Sequence, residues 1–117
     1  MKALRERDIE RRLVERVKQL GGEVRKVSWI GRRGAPDRLA MLPAYSNPTK
    51  VMILSGPQRG QFAERDYTRP ARTIWVELKT PGKKAEPHQA REHERMRRMG
   101  QRVEVVDSFE RIEEILS

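Results

Sequence analysis

Apolar residues near the start of the chain recur with the spacing of one helix face. Four of them lie three or four positions apart, so the pattern predicts an amphipathic helix over about residues 4–20. The pair Gly21-Gly22 ends this helix, since glycine is favoured just beyond a helix C-terminus. The apolar face consists of Ile9, Leu13, Val17 and Leu20.

Apolar and other side chains alternate along residues 73–79. These residues are largely β-branched and aromatic, so the segment predicts a strand. Successive side chains of a strand point to opposite faces, so Glu77 and Lys79 point the same way. The strand is otherwise apolar enough to be central, and charge buried in a sheet is costly unless it is paired or binds a metal. One face carries Ile74, Val76 and Leu78, and the other carries Trp75, Glu77 and Lys79.

Shorter patterns bounded by turn residues predict the remaining elements. They give the order α-β-β-β-α-β-α with an insertion before the third strand, in one domain of 117 residues. We therefore predict an α/β fold with a mixed central sheet flanked by helices. These elements are strands over residues 23–30 and 39–42, a helix over about 87–99, a strand over 102–106, and a last helix opened by a capping box at 107–110.

Residues 44–72 form the insertion, where prolines and glycines interrupt any long element. Residues 51–54 suit a short strand, with a turn at Ser55-Gly56-Pro57 after it. A long irregular insertion in a compact domain usually serves function, partner contact or mobility. Its arginines, interleaved with Phe62 and Tyr67, suit a DNA-contacting arm or a dimer contact, and an ordinary surface loop fits as well.

Charge narrows the class of partner. The chain has 26 Lys and Arg against 17 Asp and Glu, a formal net charge of +9. That balance favours a polyanion such as nucleic acid, and the alternative is that it serves solubility alone. Without cysteine there is no disulfide framework and no thiolate zinc site. No membrane-length apolar run or signal peptide is present, so we expect a cytoplasmic protein, in the host cytoplasm if phage-encoded.

Candidate chemistry lies where two predicted strands meet. Asp37 follows Pro36 and precedes the apolar run at 39–42; a proline suits a strand start because it cannot donate to the ladder. If the two strands pair, Asp37, Glu77 and Lys79 converge at one end of the sheet. Two carboxylates holding a divalent metal, with a lysine beside them, suit phosphodiester hydrolysis.

These residues carry a resemblance to a known family. Pro36-Asp37 followed by Glu77-Leu78-Lys79 resembles the PD-(D/E)xK nuclease signature. The fuller set of Gly34-Ala35-Pro36-Asp37, the Glu-Leu-Lys triplet and Gln89 in the next helix resembles the VRR-NUC branch. That branch comprises small virus-type replication and repair nucleases, related in fold to archaeal Holliday junction resolvases. The Glu-Leu-Lys triplet alone is weak evidence for this family, because such triplets occur by chance in many strands. The whole ordered set of motifs is much more specific, and the resemblance spans most of the chain.

The resemblance implies a Mg²⁺- or Mn²⁺-dependent DNA endonuclease of phage or prokaryotic replication and repair. Its substrate would be branched, flapped or four-way-junction DNA, and its products would carry a 5′-phosphate and a 3′-hydroxyl. Asp37, Glu77 and the backbone carbonyl of Leu78 would bind the metal. Lys79 would orient the attacking water and stabilise phosphate charge, and Gln89 would position Lys79 or the water. A homodimer is also implied, with no small-molecule cofactor beyond the metal.

A third carboxylate is expected from the first helix. Glu10 lies on the flank of the apolar stripe, and Glu6 lies near its centre one turn earlier. The related nucleases place a glutamate eleven residues before the glycine that ends this helix, and Glu10 stands eleven before Gly21. Glu10 is therefore favoured as a metal ligand, and Glu6 suits the helix dipole.

Basic residues flank the predicted site. We expect five residues to contact nucleic acid, although each could also be an ordinary solvated side chain. Trp29, just before these residues, is expected in the core rather than as a base-stacking platform. The five are Arg32, Arg33, Lys83, Lys84 and His88.

Two other functions are open. In a non-catalytic nucleic-acid-binding module, Glu77 and Lys79 would be a simple ion pair, and Asp37 would have no role. A basic phage structural or interaction protein would explain none of the ordered motifs.

Overall fold

The computed structural model describes residues 3–117, with the backbone alone at 46–51 and 64–67. The chain forms two compact units, one from Met1–Leu42 with Thr73–Ser117 and one from Pro43–Arg72. In chain order the elements are α1 Glu6–Gln19, β1 Glu23–Lys26, β2 Arg38–Leu42, β3 Tyr45–Met52, β4 Phe62–Arg69, β5 Arg72–Leu78, α2 Pro87–Arg98, β6 Val103–Val106 and α3 Phe109–Leu116.

The first unit contains a four-stranded sheet in the order β1-β2-β5-β6. Strands β1 and β2 are antiparallel, with Val24 opposite Ala40. Strands β5 and β6 are parallel, with Glu77 opposite Val105. The sheet is therefore mixed, and the predicted α/β class is confirmed. Strand β5 has a neighbour on each side, which explains how a strand bearing Glu77 and Lys79 is also largely apolar.

The core lies between α1, the sheet and α3. Ile9, Leu13 and Val17 of α1 are fully buried, as the helical spacing predicted. They belong to one cluster with buried residues of β2, β5, β6 and α3. Burying an aliphatic side chain of this size stabilises the fold by about 1.5–3 kcal/mol. The other members are Ala40, Leu42, Ile74, Val76, Leu78, Val106, Ile112, Ile115 and Leu116.

Capping residues mark the helix starts, although α3 starts with the simple N-cap Ser108 rather than with the predicted capping box at 107–110. Ser108 is the N-cap of α3, and its Oγ accepts from the backbone N–H of Arg111 at 3.1 Å. Helix α2 begins at Pro87, where the missing N–H costs nothing. Gly22, between α1 and β1, has no room for a side chain, because a Cβ there would lie 2.2 Å from the carbonyl oxygen of Met41.

The first strand is shorter than predicted, ending at Lys26 rather than at residue 30. One further backbone bond, from Val27 N–H to the carbonyl of Asp37 at 2.9 Å, closes the ladder. The chain then leaves the sheet. The expectation that Trp29 belongs to the core was wrong: it is 38% exposed and packs against Trp75, with ring centroids 5.2 Å apart.

The insertion is also more regular than predicted. Strands β3 and β4 pair antiparallel over eight residues each, from Tyr45 opposite Arg69 to Met52 opposite Phe62. Pro48 had weighed against a strand here, since proline usually interrupts strands. In a two-stranded sheet both strands are edges, so a proline can lie where no donor is needed.

The role of the insertion as a DNA-contacting arm or a dimer contact stays a prediction. The side chain of Tyr67, which was expected to contribute to it, lies outside the described residues. None of the described helices is long and apolar enough to cross a bilayer.

Candidate active site

Glu77 is the buried centre of the site. It lies near the end of β5 and is only 8% exposed, and its Oε1 is 3.3 Å from Nε2 of the buried His93 on α2. The pKa of Glu77 is raised from an ordinary 4.5 to about 7, mainly by burial and in smaller part by the negative charges of Asp37 and Glu6. The positive charge of Lys79 opposes that rise. These effects show that Asp37 and Lys79 share the electrostatic environment of Glu77.

Lys79 directly follows β5 and is half-buried. Its backbone N–H donates to the carbonyl of Val106 at 2.9 Å, which continues the pairing of β5 with β6. Burial is the main cause that lowers the pKa of His93, and the positive charges of Arg97 and Lys79 lower it further. The imidazole is therefore held towards its neutral form. The charge of Lys79 thus acts on both members of the buried pair.

Asp37 immediately precedes β2, and its side chain is half-exposed. Its carboxylate pairs with the guanidinium of Arg38, with Oδ1 3.0 Å from Nη1. Pro36 before it is fully buried, and the Pro36 carbonyl accepts from the indole N–H of Trp29 at 2.8 Å. The proline and tryptophan thus fix the backbone that carries Asp37.

Arg38 was not identified from the sequence, although it pairs with two of the expected metal-binding carboxylates. Its side chain is 9% exposed, and its guanidinium lies between two carboxylates. One is Asp37, and the other is Glu10 of α1, whose Oε2 accepts from Nη2 at 2.8 Å. Glu10 is therefore brought to Arg38, whereas Glu6 is the α1 carboxylate whose charge acts on Glu77. The sequence did offer one indication of this role, since Arg38 directly follows Asp37.

Gln89 lies in the first turn of α2 and is half-buried. Its Oε1 accepts from the backbone N–H of Glu86 at 2.8 Å, as part of a capping box. The carbonyl end of this side chain is thus engaged in starting the helix, and its amide group is the end left to donate. Leu78, whose backbone carbonyl was the expected fourth ligand, is buried opposite Val106.

The five expected nucleic-acid contacts lie in different settings. Arg33, Lys83 and Lys84 are exposed. Arg32 instead donates from Nε to Oε1 of Glu92 at 3.0 Å, and Glu92 is buried on α2. His88 is half-buried, and its backbone lies against Gly34.

His93 and Glu92 are the residues that sequence reasoning missed on α2. His93 lies three residues before Met96, on the same helix face, so its spacing indicated burial but not its partner on β5. Glu92 is 3% exposed and binds both Arg32 and Arg95. No local pattern marked Glu92.

The donor chemistry at Glu77 and Asp37 fits a hard divalent cation, which prefers carboxylate oxygens. The raised pKa of Glu77 is the relevant observation. It shows that burial disfavours the ionised carboxylate and that the nearby positive charges of Lys79 and Arg38 do not offset this cost. A nearby cation would relieve that cost. Among the described side chains, no group of three or more His, Asp or Glu residues is arranged to hold a metal. The third carboxylate, Glu10, is paired with Arg38.

Similarity to known proteins is found at the levels of sequence and structure. No family model matches the chain. Over 108 residues it is 36% identical to "Putative nuclease p44" of Acyrthosiphon pisum secondary endosymbiont phage 1, covering 92% of this chain and 88% of that protein. A solved structure described as "VRR_NUC domain" is similar with a TM-score of 0.64 at 36% identity, covering 95% of this chain and 92% of that one.

The mixed sheet, with a carboxylate and a lysine at the end of β5, is typical of an α/β domain of the nuclease type, and these likenesses support an enzyme acting on nucleic acid. The chain belongs to the VRR-NUC family.

Proposed function

We propose that this protein is a divalent-metal-dependent endonuclease that hydrolyses phosphodiester bonds in DNA, selectively at branched, flapped or four-way-junction structures. The observation that carries the proposal is the state of Glu77. It is a nearly buried carboxylate on a central strand, with Asp37, Lys79 and His93 around it and a pKa raised to about 7. Perturbed carboxylates of this kind cluster at functional sites.

Asp37 and Glu77 would hold the metal, and the Leu78 carbonyl is proposed as a further ligand. When bound, a Mg²⁺ or Mn²⁺ ion supplies Lewis acidity and lowers the pKa of bound water. Lys79 places a positive charge beside the carboxylates, where it binds the phosphate and stabilises charge that grows on it. His93 is a positioning residue, because its Nε2 fixes the orientation of the Glu77 carboxylate. Gln89 would position Lys79 or the water through its amide group.

One specific observation supports a second candidate, a non-catalytic nucleic-acid-binding module. Both carboxylates already have partners within the protein, since Glu77 contacts His93 and Asp37 pairs with Arg38. A purely structural pair needs nothing more. Such a module gives no role to Asp37, whose negative charge contributes to the raised pKa of Glu77.

The test uses a panel of linear, nicked, flapped and four-way-junction DNAs, with Mg²⁺ and then with Mn²⁺. The nuclease should cut at least one branched substrate with either metal and none with a chelator present. Glu77→Gln and Asp37→Asn should abolish cutting while DNA binding in chelator persists. Glu113→Gln, an exposed carboxylate on α3, is the matched control and should cut normally. Undiminished cutting by Glu77→Gln would refute the proposal.

A further inference from the structure

The loop between β1 and β2 is held firmly although it lies outside the sheet. We call residues 28–36 the basic loop. Its ends are joined by the backbone bond from Val27 to Asp37, and it delivers the chain directly to Asp37. Its conformation therefore bears on whatever approaches that carboxylate.

Three contacts brace the basic loop against the rest of the first unit. Trp29 packs on Trp75 at an angle of 48° between the rings, and its indole N–H donates back to Pro36. Arg32 is tied to the buried Glu92 of α2. Gly34 fits so closely against α2 that a Cβ there would lie 2.8 Å from the carbonyl oxygen of His88. These contacts hold the loop against β5 and α2.

The braced loop presents an aliphatic side chain to solvent. Ile30 is 99% exposed, and the next most exposed of the described large apolar residues is Leu54 at 79%. Gly31 follows with φ of +71°, a conformation that turns the chain at Ile30. Single exposed apolar residues are ordinary on protein surfaces. This one is unusual because it stands on a loop held by three contacts, with the exposed Arg33 three residues away and Asp37 directly after the loop.

We propose that Ile30 is a wedge that inserts between bases of the DNA substrate and so determines its selectivity for interrupted or branched duplexes. Aliphatic side chains of this type enter base steps and kink the duplex, at a cost of unstacking. That cost is lower where stacking is already broken, at a nick, flap or junction. Arg33 would hold the adjacent phosphate backbone while Ile30 enters the stack.

Nucleic acid is favoured over a second copy of the chain because of charge. A two-fold contact at Ile30 would bring the exposed Arg33 of both copies together, whereas a phosphate backbone is complementary to that charge. This inference rests on the proposed function for its substrate, but unstacking can be measured without cleavage.

The experiment places 2-aminopurine beside the branch of a flapped and of a four-way-junction DNA, and in the middle of a continuous duplex. Binding and fluorescence are measured in chelator. The wild-type protein should increase fluorescence at the branch. Ile30→Ser should lose that increase and reduce the preference for branched over continuous DNA by about tenfold, since burial of one aliphatic side chain corresponds to at least that factor. Ile30→Leu should keep both.

The matched control is Met99→Ser, which removes another exposed apolar side chain, 67% exposed, at the end of α2. It should behave like the wild type. Equal thermal unfolding of all variants is expected, because neither side chain is packed. If Ile30→Ser keeps both the fluorescence increase at the branch and the preference for branched DNA, the proposed role of Ile30 is refuted. A change of oligomeric state in Ile30→Ser with the base signal unaltered would refute it as well, since that would identify a protein contact.

The experiments test the role of Ile30 and the nuclease activity separately. A protein that unstacks branch-point bases through Ile30 but cuts nothing with Mg²⁺ or Mn²⁺ would support the wedge and refute the nuclease. If Ile30→Ser cuts branched DNA as well as the wild type does, with the same preference over continuous duplex, the wedge alone is refuted.

Discussion

Replacing the carboxylate of Glu77 by an amide should stabilise the metal-free protein at high pH. The folded-state pKa of about 7, against an ordinary 4.5, corresponds to about 3 kcal/mol by which folding disfavours the ionised form. At pH 8 the wild-type protein bears this cost in full, and Glu77→Gln, which has no charge to desolvate, does not. The expected gain is about 2–3 kcal/mol, or a rise in Tm on the order of 10 °C for a domain of this size.

The pH dependence has a definite sign. Between about pH 4.5 and pH 7 the folded protein retains a proton on Glu77 that the unfolded chain has lost. The contribution of Glu77 to stability therefore falls as pH rises through that window, and it is constant below it and above it. The difference between wild type and Glu77→Gln should accordingly be small at pH 4 and largest at pH 8.

Chemical denaturation of the wild type and of Glu77→Gln from pH 4 to pH 8, in chelator, measures this difference in the free energy of unfolding. Glu113→Gln is the matched control with the opposite sign, because the hydrogen bond from Arg16 lowers the pKa of Glu113. That variant should lose stability at neutral pH. Mg²⁺ or Mn²⁺ should then stabilise the wild type at pH 8 and leave Glu77→Gln unchanged. A Glu77→Gln effect that is independent of pH, or a destabilisation at pH 8, would refute the electrostatic account of the site.

Three further outcomes are expected. Lys79→Ala should retain metal-dependent stabilisation but lose about two orders of magnitude in turnover, the range for removing a charge-stabilising group; unchanged turnover in single-turnover assays would exclude that role. DNA affinity should fall with salt, with a slope of about −0.9 in log K against log salt for each phosphate neutralised, and a flat dependence would contradict backbone-dominated binding. Light scattering without DNA should show a homodimer rather than a 13.7 kDa monomer, because two-fold-symmetric junctions suit paired sites; a monomer at micromolar concentration would contradict this.

Most of the fold was accessible from local patterns. The spacing of Ile9, Leu13 and Val17 predicted both α1 and its buried face, and alternation predicted β5. The hairpin of β3 and β4 was missed, because its proline obscured a pairing that only the partner strand makes evident. The early end of β1 was missed because Trp29 leaves the sheet to pack on Trp75, which is 46 residues away in sequence.

The sequence by itself determined which chemistry is available: a carboxylate and a lysine on one strand face, a second carboxylate after a proline, and a strongly basic chain. Those features depend on residue identity and on the short periods of helix and strand, which are local. Tertiary structure alone decided how the charges are used. It placed His93 against Glu77, set Arg38 between Asp37 and Glu10, and tied Arg32 to Glu92. The residues of each pair except Asp37 and Arg38 are far apart in sequence, and the pKa of a buried carboxylate depends on the charges and the desolvation that folding brings to it.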